Sequence, residues 1–283
     1  MIVAFGSGRG RVVVQVEEGL AEHVAALFPE DLSLDAGGLP SIEVRARDMG
    51  FELVRSGPPR RVELSRSLPD LLVSLEHTLC RTLLAAEAES AHLHASGAVV
   101  DGRAILALGP SGAGKSSLAL AWSEAGLPLL GDDVVLVDSA GWLRPFRRLL
   151  KVDGELFASR GGRPEETLAF DPDAEEVWYD PRGAGGWADA PAPPGLVAWV
   201  TFDGSDAVRA EVLGEADALR HLLDAVMGSG VPPALAMDRM IPWLPECRAV
   251  RVGFGSAVDA ATLLVDWLRA APLPDDAAPG SGA

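Results

Sequence analysis

Eight consecutive residues constrain this chain more than any others: Gly109, Pro110, Ser111, Gly112, Ala113, Gly114, Lys115 and Ser116. The apolar run before them, Ala-Ile-Leu-Ala-Leu at 104–108, reads as a buried strand, and Ser-Leu-Ala-Leu-Ala-Trp at 117–122 reads as the start of a helix. Glycines between such a strand and helix let the backbone curl until successive N–H groups point inward, and the helix N-terminus adds its partial positive charge. A turn of this kind is a cradle for phosphate. The spacing implies that residues Gly109 to Ser117 hold a nucleoside triphosphate, that Lys115 reaches its β- and γ-phosphates, and that the Ser116 hydroxyl coordinates Mg²⁺. The bland alternative is a glycine-rich turn that binds nothing, and the correctly placed strand and helix weigh against it. Lys115 is expected to be a solvent-facing charge that adds nothing to the core.

An acidic partner follows the cradle. Asp132 and Asp133 stand between Gly131 and the apolar run Val-Val-Leu-Val at 134–137. Successive side chains on a regular strand point to opposite faces. The pair must therefore lie at an irregular strand edge or divide its work, with Asp132 supporting the metal and Asp133 deprotonating an acceptor. Without the cradle, an acidic turn between helix and strand would be the preferred reading.

Charge narrows the partners. With 24 Lys and Arg against 41 Asp and Glu, the 283-residue chain has a net charge of −17. Such a surface repels a nucleic-acid backbone or an anionic membrane, and no run of Lys or Arg supplies a local exception. Cys80 and Cys247 form neither a disulfide framework nor a metal-binding spacing. No stretch of ~18 apolar residues is present, and the start lacks the basic and apolar regions of a signal peptide, so the chain reads as cytoplasmic. Homo-oligomerisation is left open.

A composition of 48% hydrophobic and 23% charged residues can fill a sizeable core. Residues 1–90 read as a small α/β unit. Strands are expected at 2–5, 12–16, 42–45, 51–54 and 61–64, and helices at 18–27 and 68–88. No chemistry is evident in this unit beyond core and surface. Residues 91–270 read as an α/β catalytic domain with a mainly parallel or mixed sheet. Its strands fall at 94–100, 104–108, 134–137, 196–202 and 248–252, with helices at 116–124, 215–227 and 257–269, and Asp101-Gly102 marks a tight turn. Residues 183–194 read as a loop or flexible insertion, and 271–283 as a disordered tail.

The string His94-Ala-Ser-Gly-Ala-Val-Val, the cradle and Gly131-Asp-Asp together resemble the catalytic domain of HPr kinase/phosphorylase and its HPr-kinase-related relatives. These proteins share the nucleotide-binding fold of phosphoenolpyruvate carboxykinase. The family's histidine stands 21 residues before the loop lysine, and its aspartate pair 17 and 18 after it. His94, Lys115, Asp132 and Asp133 occupy those offsets. The segment Arg144-Pro-Phe-Arg-Arg-Leu-Leu-Lys151 is similar to another stretch of the related kinases. The resemblance implies an ATP- and Mg²⁺-dependent kinase acting on a serine-type hydroxyl of a peptide, protein or small molecule. By position, Asp133 would take the acceptor's proton, His94 would lie beside Asp133 and the γ-phosphate, and Arg148 and Lys151 would neutralise the transferring phosphate. Glu155 and Ser159-Arg-Gly-Gly only echo the Glu-x-Arg-Gly segment of HPr kinase itself, so the related kinases are the nearer comparison.

The competing reading is a nucleotide-gated module that hydrolyses ATP slowly and signals by conformation. The chain lacks the Leu-Ser-Gly-Gly-Gln-like signature of transporter ATPases and the Asn-Lys-x-Asp guanine reader. It is also short for a phosphoenolpyruvate carboxykinase. His92 and His77 are expected on the surface or a helix face. Trp178, Tyr179 and Trp187 are expected to anchor core or loops rather than contact adenine.

Overall fold

Short β-branched runs dominate the first 65 residues, and they pair into one sheet. The computed structural model describes residues 1–7, 10–27, 39–56, 61–161, 167–168 and 176–270, so the tail expected at 271–283 lies outside the described residues. Strands β1 (Ile2–Ser7), β2 (Gly10–Gln15), β3 (Ser41–Arg47), β4 (Gly50–Arg55) and β5 (Arg61–Ser65) lie in that order. Only β2 and β3 run parallel. The helix expected at 18–27 is a 3₁₀ turn, Glu18–Leu20, followed by the short α1 (Ala21–Ala25).

Helix α2 (Leu68–Ala86) starts at Ser67, whose hydroxyl accepts the Asp70 N–H at 3.2 Å, with Pro69 in the first turn. Its leucines at 71, 72, 75, 79 and 83 recur at helical spacing and are buried with Val12, Val14, Ile42, Val44 and Leu53 of the sheet. The same apolar cluster takes in Val134, Leu136, Phe146, Leu149 and Trp178. The amino-terminal unit therefore packs its core directly onto the later chain.

Beyond α2 the order is β6 (Ala91–Leu93), β7 (Ala95–Val100), β8 (Arg103–Leu108), α3 (Lys115–Glu124), β9 (Leu129–Gly131), β10 (Val135–Val137) and β11 (Leu143–Arg144). Then come β12 (Leu150–Asp153), α4 (Gly154–Ser159), β13 (Thr167–Leu168), β14 (Glu176–Tyr179), β15 (Pro194–Phe202) and β16 (Arg209–Val212). The chain closes with α5 (Glu215–Asp224), α6 (Pro233–Met240), α7 (Trp243–Glu246), β17 (Arg248–Phe254) and α8 (Ala257–Arg269). Small sheets β11-β10-β6 and β12-β14-β13 flank a six-stranded sheet ordered β16-β17-β15-β8-β7-β9.

That sheet is mixed. Only β8, β15 and β17 run parallel; β7, β9 and β16 are antiparallel to their neighbours. The reason lies in the Asp101-Gly102 turn. Both residues have positive φ, 50° and 77°, which closes a two-residue hairpin with Val100 opposite Arg103 and Ala95 opposite Leu108. Alternation along the strands then sorts two cores. Ile105, Ala107, Val200 and Val252 pack under α3 and α8. Leu106, Leu108 and Val197 pack with Leu222 of α5, Met240 of α6 and Trp243 of α7.

Of the two readings for 183–194, the segment is a loop, and it is tied to the core. Trp187 is buried, and Ala192 and Leu143 exchange backbone hydrogen bonds of 2.9 Å. Among the described residues no helix is long and apolar enough to cross a membrane.

Candidate active site

Strand β8 ends at Leu108 and the chain turns through Gly109, Gly112 and Gly114, whose φ values of 156°, 77° and 91° are unfavourable for L side chains. Space is as restrictive as conformation at two of them. A Cβ at position 109 would meet the Val200 carbonyl oxygen at 2.7 Å, and one at 114 would meet Phe254 Cζ at 2.6 Å. Gly114 is the N-cap of α3, so the first, unpaired N–H groups of that helix open towards the loop.

Lys115 is the first residue of α3 and is buried, contrary to the expectation of a solvent-facing charge. The loop wraps around it, and Nζ donates to the carbonyls of Gly109 at 2.9 Å and Pro110 at 3.0 Å. Burial draws its ammonium below the usual lysine range, while Asp133 and Asp132 pull the other way.

The aspartate pair occupies the irregular link between β9 and β10, and its two members diverge. Asp132 is only 2% exposed. Its Oδ1 accepts the Ser96 hydroxyl at 2.6 Å and the Ser116 hydroxyl at 3.1 Å. Burial, and then the charge of Asp133, push its carboxyl up to about 6. Asp133 has φ 66°, a left-handed conformation for a non-glycine residue, and its side chain is half-exposed into the cleft. A hydroxyl and a desolvated carboxylate on adjoining elements make a hard-oxygen donor pair of the kind Mg²⁺ takes, so Ser116 and Asp132 fit that ion.

His94 links β6 to β7, and its backbone N–H donates to the Ala225 carbonyl at 2.7 Å. Its Nδ1 lies 3.2 Å from the Asp133 carbonyl oxygen. Arg148 is buried, with one terminal nitrogen 3.5 Å from Asp133 Oδ2 and the other 3.1 Å from Glu76 Oε1. Lys151 Nζ is 3.3 Å from Glu76 Oε2 and 5.1 Å from the centre of the Trp178 ring. Arg147 turns elsewhere, donating to the Ala188 carbonyl at 3.0 Å.

One cleft of about 630 Å³ gathers His94, Lys115, Ser116, Asp133 and Lys151, with Ser111, Gly112, Gly114 and Ser117 along its floor. Asp132 and Arg148 stand behind the wall, each paired to a residue at its surface. Pro110 caps the loop from outside, and Ala113 is buried beneath it. Trp178, Tyr179 and Trp187 are buried core residues. His77 is exposed, but His92 is fully buried, with Nδ1 2.9 Å from Ser229 Oγ and Nε2 3.0 Å from the Glu87 carbonyl. The surface expectation for His92 is thus corrected: β6 runs through the interior and carries it inside.

Sequence reading missed two residues. Ser96 lies inside the quoted histidine string without an assigned role. Glu76 was overlooked in a unit read as chemically silent, yet it sits one position after Leu75 on the leucine-rich face of α2. A single carboxylate on an apolar helical stripe is a signal that it has a buried cationic partner.

No protein-family model matches the chain, and no curated protein matches it. A solved structure similar to it is that of the Hpr(Ser) kinase/phosphatase from Coxiella burnetii, 14% identical over 63% of this chain and 93% of that one, with a TM-score of 0.30. The likeness is distant, and the cleft stands on its own geometry.

Proposed function

We propose that this chain is a kinase that takes ATP with Mg²⁺ in the 630 Å³ cleft and passes the γ-phosphate to a serine-type hydroxyl of a peptide, protein or small molecule. The observation that carries this reading is the meeting of His94, Lys115, Ser116 and Asp133, from separate stretches of sequence, on one cavity wall. A nucleotide cradle alone needs only the loop. The imidazole and the half-exposed carboxylate facing the loop add the groups that an incoming alcohol requires.

In this reading the loop N–H groups and the α3 terminus receive the phosphates. Lys115 exchanges its contacts with the Gly109 and Pro110 carbonyls for phosphate oxygens. Ser116 and Asp132 would hold Mg²⁺, which when bound would supply charge neutralisation for the phosphates. Asp133 accepts the alcohol proton as the new O–P bond forms and the bond from the γ-phosphorus to the bridging oxygen breaks, with ADP as leaving group. The Asp133 backbone carbonyl steers His94 Nδ1, leaving the rest of the ring towards the cleft. Arg148 orients the Asp133 carboxylate, and Lys151 presents its charge to the transferring group.

The test combines calorimetry of ATP with and without Mg²⁺ and a mass-shift screen of hydroxyl-bearing acceptors. Asp133→Asn should keep nucleotide affinity within a few-fold and lose about 10²–10⁴ in transfer rate. Steady ATP hydrolysis with no phosphorylated acceptor across peptides, proteins and small alcohols would replace this reading with the nucleotide-gated module.

A further inference from the structure

Helix α2 belongs to the amino-terminal sheet, yet one of its side chains reaches the cleft wall. Glu76 is only 2% exposed, and each of its oxygens faces a cation. Oε1 faces Arg148 at 3.1 Å and accepts the Cys80 thiol at 3.0 Å; Oε2 faces Lys151 at 3.3 Å. A carboxylate this deep is costly unless cations meet it. Burial acts to raise its carboxyl, and the charges of Arg148 and Lys151 more than offset that, leaving it below the ordinary glutamate range.

We propose that Glu76 is a positioning residue for phosphoryl transfer: one buried carboxylate from α2 spaces Arg148 and Lys151 along the cleft wall. The inference rests on the kinase reading of the cleft and adds to it a task for the amino-terminal unit.

Three features of the geometry support it. Glu76 receives one cation on each oxygen, so it sets their separation as well as their charge. Arg148 is bridged between two carboxylates, closer to Glu76 at 3.1 Å than to Asp133 at 3.5 Å. Without the Glu76 charge, the guanidinium would collapse onto Asp133 and hold the proposed base in a tight ion pair. Lys151, held on Glu76 Oε2, also lines the cleft, where its ammonium can meet a phosphate in flight. Glu76 itself does not line the cleft, so it acts through its two partners.

The probe is ATP with Mg²⁺ on the full chain, read as γ-phosphate release to water. Glu76→Gln should lower kcat by about 10- to 100-fold while KM for ATP stays within about threefold, because the phosphate loop does not touch Glu76. Adding Glu76→Gln to a variant that carries both Arg148→Gln and Lys151→Gln should cost nothing further, as required of a residue that acts through these two cations. A further loss in that triple variant, or a wild-type kcat in Glu76→Gln, would overturn the proposal. If Glu76→Gln does not fold, Glu76→Asp carries the test: it keeps the charge but is one methylene too short to reach both cations. Reduced kcat at unchanged circular dichroism is then expected, and wild-type kcat overturns the proposal. Absence of any Mg²⁺-dependent ATP turnover in the unaltered protein, both to water and to hydroxyl acceptors, would sink the kinase reading and this inference together. Turnover that ignores Glu76 would sink this inference alone.

Discussion

Asp132 Oδ1 lies 3.1 Å from Ser116 Oγ, joining the start of α3 to the β9–β10 link through a carboxylate almost closed to solvent. Asparagine at 132 keeps an oxygen that can accept both serine hydroxyls and loses the negative charge. Asp132→Asn should therefore fold normally and lower ATP affinity in Mg²⁺ by about 10–100-fold, the order seen when metal-site support is removed. Titration calorimetry with and without Mg²⁺ checks this. Equal affinities for variant and wild type in Mg²⁺ would remove Asp132 from the metal site.

The same carboxyl makes stability depend on pH. Burial and Asp133 raise it to about 6, above the unfolded value of about 3.9. The folded state thus holds this proton more tightly than the unfolded chain does. The associated stabilisation is complete below about pH 4 and is lost as pH rises through about 6. The melting temperature of Asp132→Asn relative to wild type should therefore rise between about pH 4 and pH 7 when Mg²⁺ is absent. A difference that stays flat over that interval argues against a strained buried carboxylate.

Lys115 has two duties to lose. Lys115→Met should cut phosphate transfer by about 10²–10³, the usual loss when one donor to a developing charge is removed. It should also cost about 1 kcal/mol of stability, because the Gly109 and Pro110 carbonyls lose their shared donor. Urea denaturation alongside single-turnover transfer separates the two effects. Unchanged stability would mean that the lysine does not brace the loop.

Gly114 sets the loop's exit into α3. At φ 91°, with Phe254 Cζ 2.6 Å from a built Cβ, Gly114→Ala meets both backbone strain and a clash. A loss of about 1–3 kcal/mol is expected, together with weakened nucleotide binding. Adding Phe254→Leu should relieve the clash and leave the backbone component. Full recovery in the double variant would show that space alone selects glycine here.

The phosphate loop and the aspartate pair were legible because their chemistry is local: glycine spacing, one lysine, one hydroxyl and two adjacent acids fall within 25 residues, 109–133. The leucine stripe of α2 was equally plain. Glu76 was not, since its partners Arg148 and Lys151 lie more than 70 positions away and only tertiary packing brings them together. The burial of Lys115 was hidden for a related reason, because a motif names the residues of a loop but not which way the loop folds over them. Strands β12 and β14 are four residues each, too short for periodicity to distinguish from loop. The central sheet is mixed, one of the two forms expected, and the Asp-Gly turn that sets β7 antiparallel to β8 is a local signal in the sequence.

That turn works as a gauge. With Ala95 facing Leu108 across the hairpin, His94 is carried to the mouth of the loop that opens at Gly109, and Ser96 falls on the side that reaches Asp132. Strand pairing has a side-chain repeat of two, so a slip of one residue would turn Ser96 away and move the imidazole along by one strand step. Two left-handed residues at the turn of the hairpin, Asp101 and Gly102, therefore calibrate a cleft wall six residue pairs distant, and neither needs to touch it.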